Sequence, residues 1–167
     1  MGDFMRPGYP NMTIFKAIQP YAEGKKTLDI GCGNKAYSKV SKQTTTLDGW
    51  GKVEPDILIN LEHQDLPFAE NSFECVLMLD FIEHMTRERG EDILGQAKHI
   101  CSGRIYLLTP LWWDTNEKHT NDPSCWAYGN KLNNHLSFWQ REDFKDWSEI
   151  GLTIEEEEYF FGYWTKT

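Results

Sequence analysis

Short apolar runs and amphipathic segments alternate along the chain. Runs at 26–30, 44–47, 57–60, 73–79 and 104–108 have the length and the apolar or β-branched composition of strands. Apart from Glu74, the run at 73–79 is apolar, which is typical of a strand that is covered on both faces. We therefore predict five strands in the first two thirds of the chain, with those at 73–79 and 104–108 buried.

Helical spacing of apolar residues separates several of these runs. It predicts helices at 11–21, 86–100 and 141–150 and a weaker helix at 35–42. Residues 111–137 have no convincing periodicity. A connection of that length without regular structure is typically functional or disordered.

The last segment, 152–167, predicts two strands in a hairpin, with the four glutamates at 155–158 in an exposed edge or turn. Strands that alternate with helices form βαβ units, whose right-handed crossovers place helices on both faces of a parallel sheet. The predicted fold class is α/β: a Rossmann-like, doubly wound, mostly parallel sheet in three αβα layers, with a C-terminal antiparallel hairpin. Ligands of such sheets bind at the carboxyl ends of strands, so we expect functional residues directly after strands.

The length of 167 residues predicts a single domain, 1–167. Its Gly- and Pro-rich segment 1–10 is expected to be a flexible arm, and 111–137 is expected to cover the substrate. The four cysteines form no C-x-x-C pair, and we expect three of them to be small buried residues.

Charge and hydropathy restrict the classes of partner that we expect the protein to bind. The net charge is −9 and no basic tract occurs, which argues against a nucleic-acid partner and leaves small polar or cationic molecules. No apolar run approaches the ~20 residues that span a bilayer, and the N-terminus has no signal pattern. We therefore expect no membrane insertion and a cytoplasmic location; no pattern indicates an oligomeric state.

The sharpest local signal is Leu-Asp-Ile-Gly-Cys-Gly-Asn at 28–34. Gly31 and Gly33 permit a tight turn and a close approach of the backbone to a ligand, and a helix after the turn would favour a polar or anionic group. An ordinary strand-to-helix turn has the same features, and with Ala36 the segment fits the dinucleotide pattern G-x-G-x-x-A. Asp48, after the second strand, is suited either to ribose hydroxyls or to a simple turn.

Further motifs follow in order: Leu-Pro-Phe at 66–68, Asn-Ser-Phe-Glu at 71–74 and Glu-His at 83–84. With the glycine turn, this set resembles the class I S-adenosylmethionine-dependent methyltransferases. It is most similar to the broad subgroup with L-P-F and E-H motifs, which modifies small molecules, lipids and glycans. The resemblance is strong from 27 to 104. It implies S-adenosylmethionine as cofactor, S-adenosylhomocysteine as product, and in-line methyl transfer to a small-molecule acceptor.

The resemblance also implies which residues bind the cofactor, since each segment that follows a strand has a family role. The implied cofactor-binding residues are Asp29, Gly31, Cys32, Gly33, Asp48, Gly49, Asn60, Leu61 and Asp80. The residues after the third strand, which contact adenine in the family, depart here from the family's spacing to the Leu-Pro-Phe motif. Glu62 is therefore an alternative to Asn60 and Leu61 as the adenine contact. Lys35 stands where many members have a third glycine, and we expect it to face solvent.

Histidines and aromatic residues are the candidates on the acceptor side. His84 and His135 are the candidate catalytic residues, because a neutral histidine suits proton abstraction, although each also suits a structural role. The candidate substrate-binding residues are Glu83, Trp112, Trp113 and His119. No two histidines have i, i+4 spacing on a helix, so no metal site is predicted.

Two other functions stay open from the sequence. A non-catalytic partner subunit that binds S-adenosylmethionine is compatible with the short chain and the small substrate region. The G-x-G-x-x-A pattern is also compatible with a nicotinamide-dependent oxidoreductase. The fold of such an enzyme does not account for the Leu-Pro-Phe or Glu-His motifs.

Overall fold

An eight-stranded sheet organises residues 10–167, the part of the chain that this computed structural model describes. The strands are β1 (Thr27–Ile30), β2 (Thr44–Asp48), β3 (Ile57–Leu58), β4 (Phe73–Leu79), β5 (Cys101–Pro110), β6 (Ser148–Glu149), β7 (Leu152–Ile154) and β8 (Glu157–Thr165). Their spatial order is β3-β2-β1-β4-β5-β8-β6, and β7 also pairs with β8. Most of the predicted arm 1–10 lies outside the described residues.

The first five strands pair in parallel, whereas β8 runs antiparallel to β5, β6 and β7. Glu155 and Glu156 connect β7 to β8 with φ of 50° and 72°, and two such residues form a tight hairpin turn. The sheet is thus mostly parallel with a C-terminal antiparallel hairpin, which confirms the predicted fold class.

Helices cover both faces of the sheet. They are α1 (Met12–Ala22) on one face and α2 (Arg87–Ile100) on the other, and a short helix, α3 (Glu117–Thr120), follows β5. Alternate residues of β4 and β5 point into two separate cores, one that includes Ile14 and Ile18 of α1 and one that includes Ile93 and Ala97 of α2. No helix in residues 10–167 is long and apolar enough to cross a membrane.

Side-chain caps determine where the two long helices begin. The Asn11 side chain accepts a hydrogen bond from the backbone N–H of Thr13 at 2.9 Å, and Thr86 accepts one from Arg89 at 3.3 Å. Both caps satisfy N–H groups that have no partner inside the helix. The predicted boundaries of α1 and α2 are therefore correct to within a residue or two.

Two predicted helices are wrong. Residues 35–42 contain only a 3₁₀ turn, Ser38–Val40, because Lys35 has φ of 60° and Ser41 is extended with φ of −138°, and a helix accommodates neither. The predicted helix at 141–150 is a 3₁₀ turn, Arg141–Phe144, followed by β6. This segment gains hydrogen bonds at the sheet edge with β8, which replace those of a helix.

Aromatic packing explains why the 141–150 segment joins the sheet. Phe144 stacks on Phe160 of β8 with ring centroids 4.2 Å apart, and Trp147 contacts the same ring edge-on. Gly162 of β8 lets the backbone of β6 approach, since a Cβ there would lie 2.7 Å from the carbonyl oxygen of Ser148. Burial of the two rings therefore fixes the position of the last strands.

Replacing Gly162 tests this packing. We expect Gly162→Ala to lower the free energy of unfolding by about 1–3 kcal/mol, because the added methyl group meets backbone that must move. Gly95→Ala is the matched control: a Cβ at Gly95 meets nothing within 4 Å, and the change should raise stability by about 0.5–1 kcal/mol. Urea unfolding followed by circular dichroism measures both, and equal stability of the two variants would contradict the packing.

Candidate functional site

A cavity of 260 Å³ lies at the carboxyl ends of the parallel strands. Its floor consists of residues at or directly after the carboxyl ends of strands: 31–34 at β1, 48–49 at β2, 59–62 at β3 and 79–81 at β4. Residues between 110 and 135 cover it. This is the position at which parallel α/β sheets bind ligands.

Asp48 and the glycine turn form one hydrogen-bonded unit. The backbone N–H of Gly33 donates to Asp48 Oδ2 at 2.9 Å, and that of Trp50 donates to Oδ1 at 2.8 Å. Burial raises the pKa of the Asp48 carboxyl, whereas these backbone N–H groups lower it. Each oxygen can accept a further hydrogen bond, so the carboxyl can still bind hydroxyls of a ligand in the cavity.

Glycine is required at both positions of the turn. Gly31 and Gly33 have φ of 68° and 48°, in the left-handed region that disfavours other residues. A Cβ at Gly31 would collide with the ring of Phe81, and one at Gly33 would lie 3.0 Å from the ring of Trp126. Because neither glycine has a side chain, the rings of Phe81 and Trp126 can pack directly against the turn.

Asp29 does not line the cavity. It is buried behind the glycine turn, where its Oδ2 accepts a hydrogen bond from the Ser38 hydroxyl at 2.7 Å. Burial raises the pKa of its carboxyl to about 6. The structure therefore places Asp29 where it supports the turn.

The cover combines a short helix with irregular backbone. Trp112 and His119 line the cavity, but Trp113, which we predicted to bind substrate, does not; it is 55% exposed. The indole N–H of Trp112 is buried and has no hydrogen-bond partner among the described residues. Trp126 packs against Trp50 at 6.3 Å between ring centroids and closes the cavity above the glycine turn.

Two carboxyl groups follow β4. Burial raises the pKa of Asp80 to about 7. Glu83 is 2% exposed, and burial together with the neighbouring Asp80 raises its pKa well above the ordinary value. Its carboxylate accepts a hydrogen bond from the Thr109 hydroxyl at 3.1 Å.

Acidic side chains line the cavity without a lysine or arginine beside them among the described residues. Four acidic residues line it, Asp48, Glu62, Asp80 and Glu83, and no Lys or Arg is among the described residues that do so. A buried carboxylate without a nearby cation is unfavourable. The cavity is therefore suited to a positively charged ligand.

The structure brings His84 and His135 together although 51 positions separate them. The backbone N–H groups of Leu136 and Ser137 both donate to the Glu83 carbonyl, at 2.8 and 3.1 Å, which anchors 135–137 beside the turn that contains His84. The two imidazole rings are 5.0 Å apart. Burial lowers the pKa of His84 to about 3 and also lowers that of His135, so both rings are neutral near pH 7.

Most of the predicted site residues line the cavity, apart from Asp29 and Trp113. Lys35, which we expected to face solvent, does not line the cavity, and its ammonium group donates to the Glu54 carbonyl in an exposed hydrogen bond. The lining also includes polar and aromatic residues that were not predicted, namely Asn34, Tyr37, Asn116, Trp126, Asn130, Asn133 and Tyr159. Four of these residues, Asn116, Trp126, Asn130 and Asn133, lie in the segment 111–137 that the sequence predicted as the substrate cover.

Solved structures of other proteins share this architecture. Magnesium protoporphyrin IX methyltransferase from Synechocystis PCC 6803, with bound S-adenosylhomocysteine, matches with a TM-score of 0.63 at 10% identity, covering 93% of this chain and 83% of that chain. The chain has the fold of S-adenosylmethionine-dependent methyltransferases.

Two further structures with this methyltransferase fold span the chain equally well. A SAM-dependent methyltransferase from Archaeoglobus fulgidus has a TM-score of 0.64 at 14% identity and covers 94% of this chain and 95% of that one. The Burkholderia thailandensis 1,6-didemethyltoxoflavin-N1-methyltransferase has a TM-score of 0.61 at 11% identity, with coverage of 93% and 77%. No protein-family model and no curated protein sequence matches the chain.

The buried carboxyl of Asp29 predicts a specific pH dependence of stability. Its pKa is raised from 3.8 to about 6 on folding, so its contribution is fully present below pH 4 and is lost as the pH rises through 6. We expect the wild-type protein to lose up to about 3 kcal/mol relative to Asp29→Asn between pH 4 and 7.

Urea unfolding at a series of pH values measures this difference. The control is Glu23→Gln, which removes an exposed carboxylate just beyond α1. The assignment fails if the stability profiles of Asp29→Asn and the wild-type protein stay parallel from pH 4 to 7.

Proposed function

We propose that this chain is an S-adenosylmethionine-dependent methyltransferase that acts on a small-molecule acceptor. The observation that carries the proposal is the hydrogen-bonded unit of Asp48 and the glycine turn, at the wall of an acid-lined cavity. That unit lies at the carboxyl ends of β1 and β2, which supports the proposal because parallel α/β sheets bind ligands there. A cytoplasmic location stays a prediction.

The residues present fit the cofactor. The free lone pairs of the Asp48 carboxyl suit the two ribose hydroxyls, and Gly49, Asn60 and Leu61 line the adjoining wall where the adenine would lie, with Glu62 as a further candidate. Gly31, Cys32 and Gly33 allow close approach of the methionine end. Asp80 lies at the same end, where a carboxylate is favourable for an ammonium or sulfonium group.

The cover and the turn after β4 form the acceptor end of the cavity. Glu83, His84 and His135 lie there together, and Trp112 and His119 complete the wall. When bound, S-adenosylmethionine supplies a methyl group that is already activated on sulfur, so the protein's main task is to hold the acceptor at attack distance. The unpaired indole N–H of Trp112 offers the acceptor a hydrogen bond, and the cover excludes water.

The nicotinamide alternative fits this cavity poorly. A nicotinamide dinucleotide carries a pyrophosphate, which dinucleotide folds bind at the N-terminus of a helix. Here only a 3₁₀ turn follows the glycines, and the described lining residues include four acidic side chains but no Lys or Arg. The same charges favour the cationic sulfonium ligand.

A non-catalytic role as a partner subunit is separated from catalysis by turnover. Release of S-adenosylhomocysteine with at least one acceptor from a panel of small hydroxyl, amine and thiol compounds supports an enzyme. Tight cofactor binding with no turnover on any of them would support a binding subunit instead.

Removing the Asp48 carboxyl tests the cofactor site. We expect Asp48→Ala to weaken binding of S-adenosylhomocysteine by about 1.5–3 kcal/mol, because hydrogen bonds to a charged group are lost. Isothermal titration calorimetry measures the affinity, and thermal unfolding checks that the variant is folded. Asp92→Ala is the matched control, since Asp92 is an exposed residue of α2 that does not line the cavity.

If a folded Asp48→Ala protein bound S-adenosylhomocysteine as tightly as the Asp92→Ala control, Asp48 would not be part of the site. If the wild-type protein bound neither S-adenosylmethionine nor S-adenosylhomocysteine, the proposed function would be wrong.

A further inference from the structure

Three potential metal ligands converge at the acceptor end of the cavity. One carboxylate oxygen of Glu83 and one ring nitrogen each of His84 and His135 lie within 4.8 Å of one another. The sequence prediction of no metal site considered only histidine pairs on one helix. Here the ligands come from two segments, the turn after β4 and the segment that the Glu83 carbonyl anchors.

Each of the three side chains is held by a second group. Glu83 Oε2 accepts from Thr109, and His84 Nδ1 lies 3.2 Å from the carbonyl oxygen of Asn134. A carbonyl oxygen only accepts, so the tautomer that is protonated on Nδ1 suits this contact, and in that tautomer the Nε2 lone pair can bind a metal ion. The His135 ring is hydrogen-bonded to the backbone of Asp114. Metal-ligating histidines are typically oriented in this way by carbonyl groups.

The charge balance favours a cation at this position. The Glu83 carboxyl is almost fully buried next to Asp80, and the described lining residues include no Lys or Arg that could neutralise either group. Two neutral imidazoles add electron pairs but no charge. A bound dication would compensate the buried carboxylates and satisfy the lone pairs of both rings.

The donor set indicates which ion fits. Two imidazole nitrogens and one carboxylate oxygen form the ligand set of several zinc enzymes, and imidazole suits Zn²⁺, Co²⁺ and Fe²⁺ better than Mg²⁺ or Ca²⁺. Ligand atoms around Zn²⁺, with bonds of about 2.1 Å, lie roughly 3–3.5 Å apart. Separations of up to 4.8 Å reach this range through small side-chain rotations.

We propose that Glu83, His84 and His135 bind one divalent transition-metal ion, such as Zn²⁺, at the acceptor end of the cavity. Binding of the ion does not depend on the proposed function, but its position beside the acceptor does. Three protein ligands leave at least one coordination position open, which an oxygen atom of the acceptor can occupy. The acceptor class that fits is therefore an alcohol, phenol or carboxylate.

Cobalt binding tests the site directly. The full chain is stripped of metal with EDTA, dialysed and titrated with Co²⁺, whose visible d–d absorption reports on nitrogen and oxygen ligands. We expect one Co²⁺ per chain, displaced by equimolar Zn²⁺ but not by Mg²⁺. Glu83→Gln and His135→Ala should each weaken Co²⁺ binding at least about tenfold, whereas His99→Ala, an exposed histidine on α2, should leave it unchanged.

The outcomes separate this proposal from the proposed function. Calorimetry with S-adenosylhomocysteine is run on the same EDTA-treated protein, and thermal unfolding confirms that each variant is folded. Retained S-adenosylhomocysteine binding without stoichiometric Co²⁺ binding, or Co²⁺ binding that both variants retain, would overturn the metal site and leave the proposed function intact. Stoichiometric Co²⁺ binding that the variants lose supports the metal site even if the cofactor does not bind.

Discussion

The carboxylate at the end of β2 holds the cavity together. Asp48 accepts hydrogen bonds from the backbone of Gly33 on one oxygen and of Trp50 on the other. It therefore joins the segment after β1 to the segment after β2. The cover depends on the same unit, because Trp126 packs over Gly33 and against Trp50. Floor and cover thus meet at this unit, and a second contact anchors the cover at the Glu83 carbonyl.

A cluster of acidic side chains, with no Lys or Arg among the described residues that line the cavity, is its second constraint. Burial raises the pKa of Asp48, Asp80 and Glu83, so the site carries carboxyl groups that retain protons more strongly than exposed ones. A cationic ligand would stabilise the ionised carboxylates, whereas a phosphate would be repelled by them. The same acidic residues would favour both a sulfonium cofactor at one end of the cavity and a divalent ion at the other. Asp29 belongs to a different environment, since it supports the glycine turn from behind.

Local signals in the sequence were sufficient to predict the strands and helices that form and support the floor of the cavity. The apolar run of β4, interrupted only by Glu74, and the helical spacing of apolar residues in α1 and α2 predicted those elements, and the residues after β1, β2 and β4 lie in the cavity as expected. Interactions between distant residues determined the rest. Phe144 and Trp147 pack on β8, which converts a predicted helix into a turn and a strand. His84 and His135 meet only because the Glu83 carbonyl anchors 135–137, and no local pattern encodes that contact.

A crystal structure of the protein grown with S-adenosylhomocysteine tests the central claim most directly. We expect the ribose hydroxyls within hydrogen-bond distance of both Asp48 carboxylate oxygens, with the thioether sulfur directed toward Glu83, His84 and His135. An adenosyl group bound elsewhere on the protein, or one in the cavity that makes no contact with Asp48, would contradict the account.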